Sequence, residues 1–167
     1  SIVIEQPFIS ASINVGNSTS DIVALPMGSE IRGYISFANN ASIDVASPVF
    51  SLEILGDSVD INSISSDGGF YDPLTKTLTW DSNSSRNLGV IAPSGVGRLD
   101  FYFKTKSVQS LSDVILSLSV KGTFPDRDFL ENSISNIDQK TIRFASRLQF
   151  ASQALYSIGP IKNTGPY

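Results

Sequence analysis

Side chains able to do chemistry fall into four groups in this chain. Asp126, Asp128 and Glu131 crowd one turn-like segment and Asp138 follows, and closely spaced loop carboxylates are what a calcium ion needs. The spacing matches no EF-hand or Gly-Asp repeat, and Arg127 stands inside the group, so the segment reads as a solvated loop. Asp57 and Asp60 make a thinner second cluster. Two acids flanking a glycosidic bond would suit a glycosidase, but among 16 acidic residues nothing pairs any particular two. The third group is aromatic: Trp80, Tyr71, Phe70, Tyr34 and Tyr102 are the residue types that stack on sugar rings. The fourth is a pair of lysines, Lys121 and Lys140, which could join an asparagine in an isopeptide bond if a buried acid stood beside them. No motif specifies that acid, so both lysines read as exposed.

What is missing narrows the chemistry further. The chain has no histidine and no cysteine. That removes the commonest general base, the Ser-His-Asp arrangement, the thiolate nucleophile and the commonest zinc ligands together. The sequence nominates no catalytic residue, no metal ligand and no cofactor, and an enzyme is not expected. Asn17, Asn40 and Asn83 each begin an Asn-x-Ser/Thr sequon in a predicted loop, which a chain rich in Ser, Thr and Asn produces by chance.

The elements that would carry these groups alternate with a period of two. Ile31, Gly33, Ile35 and Phe37 oppose Arg32, Tyr34 and Ser36; Leu99, Phe101 and Phe103 oppose Arg98, Asp100, Tyr102 and Lys104. Further strands are predicted over 9–15, 50–54, 59–64, 77–80, 114–120 and 142–150, with Val114, Leu116, Leu118, Phe144 and Leu148 inward. Strand phase puts Trp80 on the same face as Leu78, in the core, and leaves Tyr34 and Tyr102 outward as the only aromatic candidates for glycan contact. Turns are expected at Pro26-Met27-Gly28, Ala38-Asn39-Asn40, Asp67-Gly68-Gly69, Tyr71-Asp72-Pro73, Ala92-Pro93-Ser94-Gly95 and Phe124-Pro125-Asp126. Many short strands with regular turns give an all-β fold, a two-sheet antiparallel sandwich of immunoglobulin-like type, with a closed barrel as the alternative.

Several of these segments together carry a resemblance: Leu25-Pro26-Met27-Gly28, Phe37-Ala38-Asn39-Asn40, Asp67-Gly68-Gly69-Phe70-Tyr71-Asp72, Leu78-Thr79-Trp80 and Ile91-Ala92-Pro93-Ser94-Gly95. In that order they resemble the immunoglobulin-like repeat domains of unknown function in large surface proteins of uncultured bacteria, from about Pro7 to Thr164. The resemblance implies a stalk or adhesion module and transfers no catalytic residue. Ser94 inside the second turn departs from the pattern and would leave Gly95 to supply any positive φ.

With 167 residues, 10 Phe, 5 Tyr, one Trp and 17% charged residues, one domain can bury a sizeable core without disulfides. The expected division is an immunoglobulin-like domain over 1–158 and a Gly/Pro linker over 159–167, whose two Gly-Pro steps suit a semi-rigid connection to a following module. A net charge of −4 without a basic cluster argues against nucleic acid. No apolar run nears the roughly 20 residues that cross a bilayer. Any export signal or anchor is expected outside this segment. The functional expectation is a non-catalytic structural or adhesive repeat, a spacer of a membrane-anchored bacterial surface protein, extracellular, contacting neighbouring domains of its own chain and a surface glycan or protein. The alternative is a carbohydrate-binding sandwich attached to a larger enzyme.

Overall fold

Alternation of apolar and polar residues becomes strand after strand in the computed structural model, which describes residues 9–18, 20–85, 88–106, 112–124 and 133–145. In chain order the strands are β1 (Ile9–Val15), β2 (Ile22–Pro26), β3 (Glu30–Asn39), β4 (Val45–Leu55), β5 (Val59–Ser66) and β6 (Phe70–Asp72). They continue with β7 (Thr77–Trp80), β8 (Val90–Ile91), β9 (Val96–Thr105), β10 (Val114–Thr123) and β11 (Ser133–Ala145). One sheet has the order β1-β3-β9-β5; the other runs β2-β11-β10-β4-β7-β6, with β8 also paired to β4. The fold is therefore an all-β sandwich of two sheets. Among the described residues every pairing is antiparallel except that of β2 with β11, which run parallel from Ile22↔Thr141 to Pro26↔Ala145. No helix of the described residues is long and apolar enough to cross a membrane.

The inner faces meet in one core. From the larger sheet come Phe50, Leu52, Leu78, Trp80, Leu116 and Leu118; from the smaller come Ile13, Ile31, Ile35, Phe37, Phe101 and Phe103, all buried. Cross-strand register explains the grouping, since Leu118 pairs with Leu52, Leu52 with Leu78 and Phe50 with Trp80, so one phase of each strand faces the same way. Trp80 is fully buried and its Nε1 donates to Ser66 Oγ at 2.6 Å, a hydrogen bond from β7 of one sheet to β5 of the other.

Two glycines shape the smaller sheet from inside. Gly33 pairs with Phe101 and Gly97 with Phe37, and in each pair the ring lies where a Cβ would stand. The missing side chains let two aromatic rings lie down on their neighbouring strand. In β4 the break between pairing with β8 and with β7 falls at Ser47, whose φ of 49° is followed by Pro48 and whose N–H donates to Gly89 O at 2.8 Å.

Several local expectations change. Tyr71 and Asp72 form strand β6 and the turn begins at Pro73, because Tyr71 pairs with Leu78 and its ring packs on the core. In the 92–95 turn Ser94 itself takes a φ of 64°. Gly95 is needed for space instead, because a Cβ there would stand 2.8 Å from Ala92 O. The strand expected over 142–150 starts at Ser133, Phe144 packs on the core as expected, and Leu148 lies outside the described residues. Residues 159–167 also lie outside them.

Candidate functional site

Tyr34 stands in β3 and Tyr102 in β9, half-buried on the outer face of the four-stranded sheet. The register sets Arg32 beside Tyr102 and Tyr34 beside Asp100, with Ser36 and Arg98 on the next rung. Each ring is covered by an arginine. The Arg98 guanidinium carbon lies 3.9 Å from the Tyr34 centroid and that of Arg32 lies 4.6 Å from the Tyr102 centroid, both within cation–π range. The arginines are themselves paired: Arg98 Nε donates to Asp100 Oδ1 at 2.7 Å, and Arg32 Nη2 lies 3.8 Å from Glu30 Oε2. Nearby, Ser12 Oγ and Ser36 Oγ bond at 2.9 Å, and Asn14 Nδ2 donates to Ser12 Oγ at 3.4 Å. A shallow depression of about 550 Å³ runs past both tyrosines, bounded by Ser65, Ser66 and Asp67.

The structure thus brings the two tyrosines together and adds what strand phase could not reveal. Arg32 and Arg98 cap the rings because antiparallel pairing places Arg32 directly opposite Tyr102 and Arg98 diagonally opposite Tyr34, and that register is invisible before the strands are paired. The other aromatics scatter: Trp80 is core, Tyr71 lies on the inner side, and Phe70 is 54% exposed on the outer side of β6. Tyr71 Oη is buried and accepts or donates no hydrogen bond among the described residues; burial, and then the nearby Asp72 carboxylate, raise its pKa.

Among the described residues the carboxylates do not converge. Asp126, Asp128 and Glu131 lie outside the described residues, and within the described residues no three acids gather closely enough to hold a metal ion. Asp60 Oδ1 accepts from Asn62 N–H at 3.2 Å within β5, where the pairing with β9 is interrupted. Asp138 is no loop residue: it sits in β11, and its Oδ2 accepts the Ile13 N–H of β1 at 2.8 Å. That bond occupies a donor on the outer edge of β1, the end strand of its sheet among the described residues.

Of the two lysines, Lys121 is exposed and Lys140 is 2% exposed, which corrects the expectation of an exposed amine. Lys140 falls on the inward phase of β11 opposite Leu116, and its Nζ donates to Ser20 O at 2.6 Å, tying the loop before β2 to the rim of the core. It forms no ion pair among the described residues. Asn39, 2% exposed at the end of β3, has its whole side chain engaged. Nδ2 donates to Ile43 O at 3.0 Å and Ile91 O at 2.8 Å, while Oδ1 accepts from Ala41 N–H at 2.8 Å. Asn17, Asn40 and Asn83, the three sequon positions, are exposed.

The outer face of the seven-stranded sheet is built differently. The rung Gln139–Ser117–Glu53–Thr77 crosses β11, β10, β4 and β7, and Ser119 lies beside Ser51 two residues along. These residues line an open groove of about 820 Å³. Sequence reasoning passed over them because isolated Ser, Gln and Glu on outward phases carry no signal of their own.

No protein-family model and no curated protein sequence matches the chain. Among solved structures it is similar to the major pilin subunit BcpA of Bacillus cereus, with 10% identity, TM-score 0.50, and coverage of 84% of this chain and 41% of the pilin. A comparable likeness links it to AvmM, which catalyses macrocyclization in alchivemycin A biosynthesis, with 7% identity, TM-score 0.50, and coverage of 83% and 89%. For the seventh ScaB type I cohesin of Pseudobacteroides cellulosolvens the values are 13%, 0.49, and 94% and 99%. The chain spans 19% of the length of the GH20 exo-β-N-acetylglucosaminidase of Vibrio harveyi, which it matches over 84% of its own residues at 12% identity and TM-score 0.47. A pilin subunit and a cyclizing enzyme at the same similarity show the sandwich fold alone.

Proposed function

We propose that this chain is a non-catalytic structural module of a bacterial cell-surface protein, a spacer that holds its neighbours apart outside the cell. One observation carries the reading. The five buried polar or charged side chains among the described residues, Asn14, Asn39, Ser58, Thr105 and Lys140, all donate to backbone carbonyls. Asn39, Ser58, Thr105 and Lys140 reach loops or strand ends of other segments, so their hydrogen-bonding capacity goes into holding the frame. A catalytic site needs the reverse, a concave pocket where titratable groups keep capacity for a substrate. The outward tyrosines fit the same picture, since their arginine caps are neutralised in place. The pilin likeness in fold agrees with a surface role without establishing it.

On this reading 159–167 links to a following module, and the parent protein is a large repeat protein with an export signal and an anchor. Sequencing the parent reading frame tests it: further β modules with an N-terminal signal and an anchor are expected, and a start codon just before Ser1 with a stop just after Tyr167 would overturn it. Hydrolase activity from the purified chain alone would overturn the non-catalytic part.

A further inference from the structure

We infer that the outer face of the seven-stranded sheet is a binding site for an extended, neutral polysaccharide, seated along the Gln139–Ser117–Glu53–Thr77 rung. The polar side chains there are left over by the fold. Ser51, Glu53, Ser117, Ser119 and Gln139 make no side-chain hydrogen bond among the described residues, and only Thr77 Oγ1 has a partner, Thr75 O at 3.0 Å. All but Gln139 are half-buried in the groove wall, so water reaches them only from the open side. On the opposite face of the molecule the same kinds of outward residue are bonded to one another.

The groove's chemistry selects the occupant. Serine hydroxyls and the glutamine amide both donate and accept, and Glu53 and the flanking Asp21 accept only, so a ligand must offer donors and acceptors at short, repeated intervals. Sugar hydroxyls do both. No lysine or arginine lines the groove while three acidic residues do, Asp21, Glu53 and Asp138, which repels anionic glycans, nucleic acids and acidic peptides alike. The rung crosses four strands, three steps of about 4.8 Å, so it extends roughly 14 Å and calls for an oligomer. Lining side chains include no aromatic ring, so binding depends on hydrogen bonds and is weak per module. This site goes beyond the spacer role and does not require it.

The test is a titration of the isotope-labelled 167-residue chain with cellohexaose, chitohexaose and mannohexaose, and with a galacturonic acid hexamer, read by amide and side-chain chemical shifts. At least one neutral hexaose is expected to shift resonances of Ser51, Glu53, Ser117, Ser119 and Gln139 while those of Tyr34 and Tyr102 stay in place. The E53Q/S117A variant, whose two sites are solvent-facing, should keep its melting temperature and bind about tenfold more weakly, the loss of roughly one charge-assisted hydrogen bond. No shift in the groove with any neutral hexaose at 10 mM would overturn the site. So would unchanged affinity in the variant, tighter binding of the galacturonic acid hexamer, or shifts confined to the tyrosine face. None of these outcomes bears on whether the chain is a spacer.

Discussion

On the four-stranded sheet the outward side chains are partners of one another: arginine over tyrosine, arginine against carboxylate, serine to serine. On the seven-stranded sheet Arg143 pairs with Asp113, but Ser51, Glu53, Ser117, Ser119 and Gln139 in the groove make no side-chain hydrogen bond among the described residues. Strand geometry is the same in both, so the difference lies in which residue types the register sets side by side. Charges and rings satisfy each other across the 4.8 Å gap, and the directly opposed hydroxyls of Ser12 and Ser36 bond as well, whereas Ser51 and Ser119, opposed in the same way, do not. An aromatic residue on an outward strand phase is thus a poor guide to a binding face unless its cross-strand neighbours are known. An unremarkable row of serines becomes informative once pairing shows that nothing answers it.

The largest effect should come from what joins the two sheets. Trp80→Ala removes a fully buried ring and its hydrogen bond to Ser66, and a loss of about 3–5 kcal/mol in equilibrium denaturation is expected. A loss under about 1 kcal/mol would mean that the sheets are held together elsewhere. Next comes Gly33→Ala, whose Cβ would collide with the Phe101 ring and push it off the strand, at about 1–3 kcal/mol. Because both tyrosines flank this pair on the outside, the substitution should also shift their resonances while leaving Ser117 unmoved.

The comparison itself is tested by smaller numbers. A double-mutant cycle on Arg98→Ala and Tyr34→Ala should give a coupling of roughly 0.5–1 kcal/mol, as for an exposed cation–π pair. Ser117→Ala should change stability by less than about 0.5 kcal/mol. A zero coupling in the cycle, or a larger cost at Ser117, would erase the contrast between the faces. The smallest effect concerns Tyr71, at the margin of the larger sheet. Its folded pKa is raised, by burial first and by Asp72 second, so the protonated hydroxyl is favoured in the folded state. Its contribution is fully present below the unfolded value near 10 and is lost as pH rises through the folded value. Tyr71→Phe should leave the melting temperature at pH 7 unchanged or slightly higher, since an unpartnered hydroxyl is removed, and should flatten the decline above pH 10.

Much of the frame was legible in the sequence because period-two rows decide which side of a strand is buried. Phe37, Trp80, Phe101, Phe103, Leu116 and Leu118 were all placed inside from phase alone, and all are buried. What phase cannot give is pairing. Nothing in Ile22–Pro26 announces a strand parallel to one more than a hundred residues later, and nothing in Lys140 announces burial until β11 turns that phase toward the core. The candidate site was half visible: Tyr34 and Tyr102 stood out by type, whereas their arginine caps and the Gln139–Glu53 rung depend on long-range register.

That single parallel pairing has a mechanical meaning. The chain enters β2 at Ile22 and leaves β11 at Ala145, and in a parallel pair those two points lie at opposite ends of the ladder. Tension drawn between the segments that precede β2 and follow β11 therefore slides the two strands along each other and loads their hydrogen bonds together. An antiparallel pair tethered at one end would open like a zipper, one bond at a time. Stretched through these two strands, the fold meets force in shear.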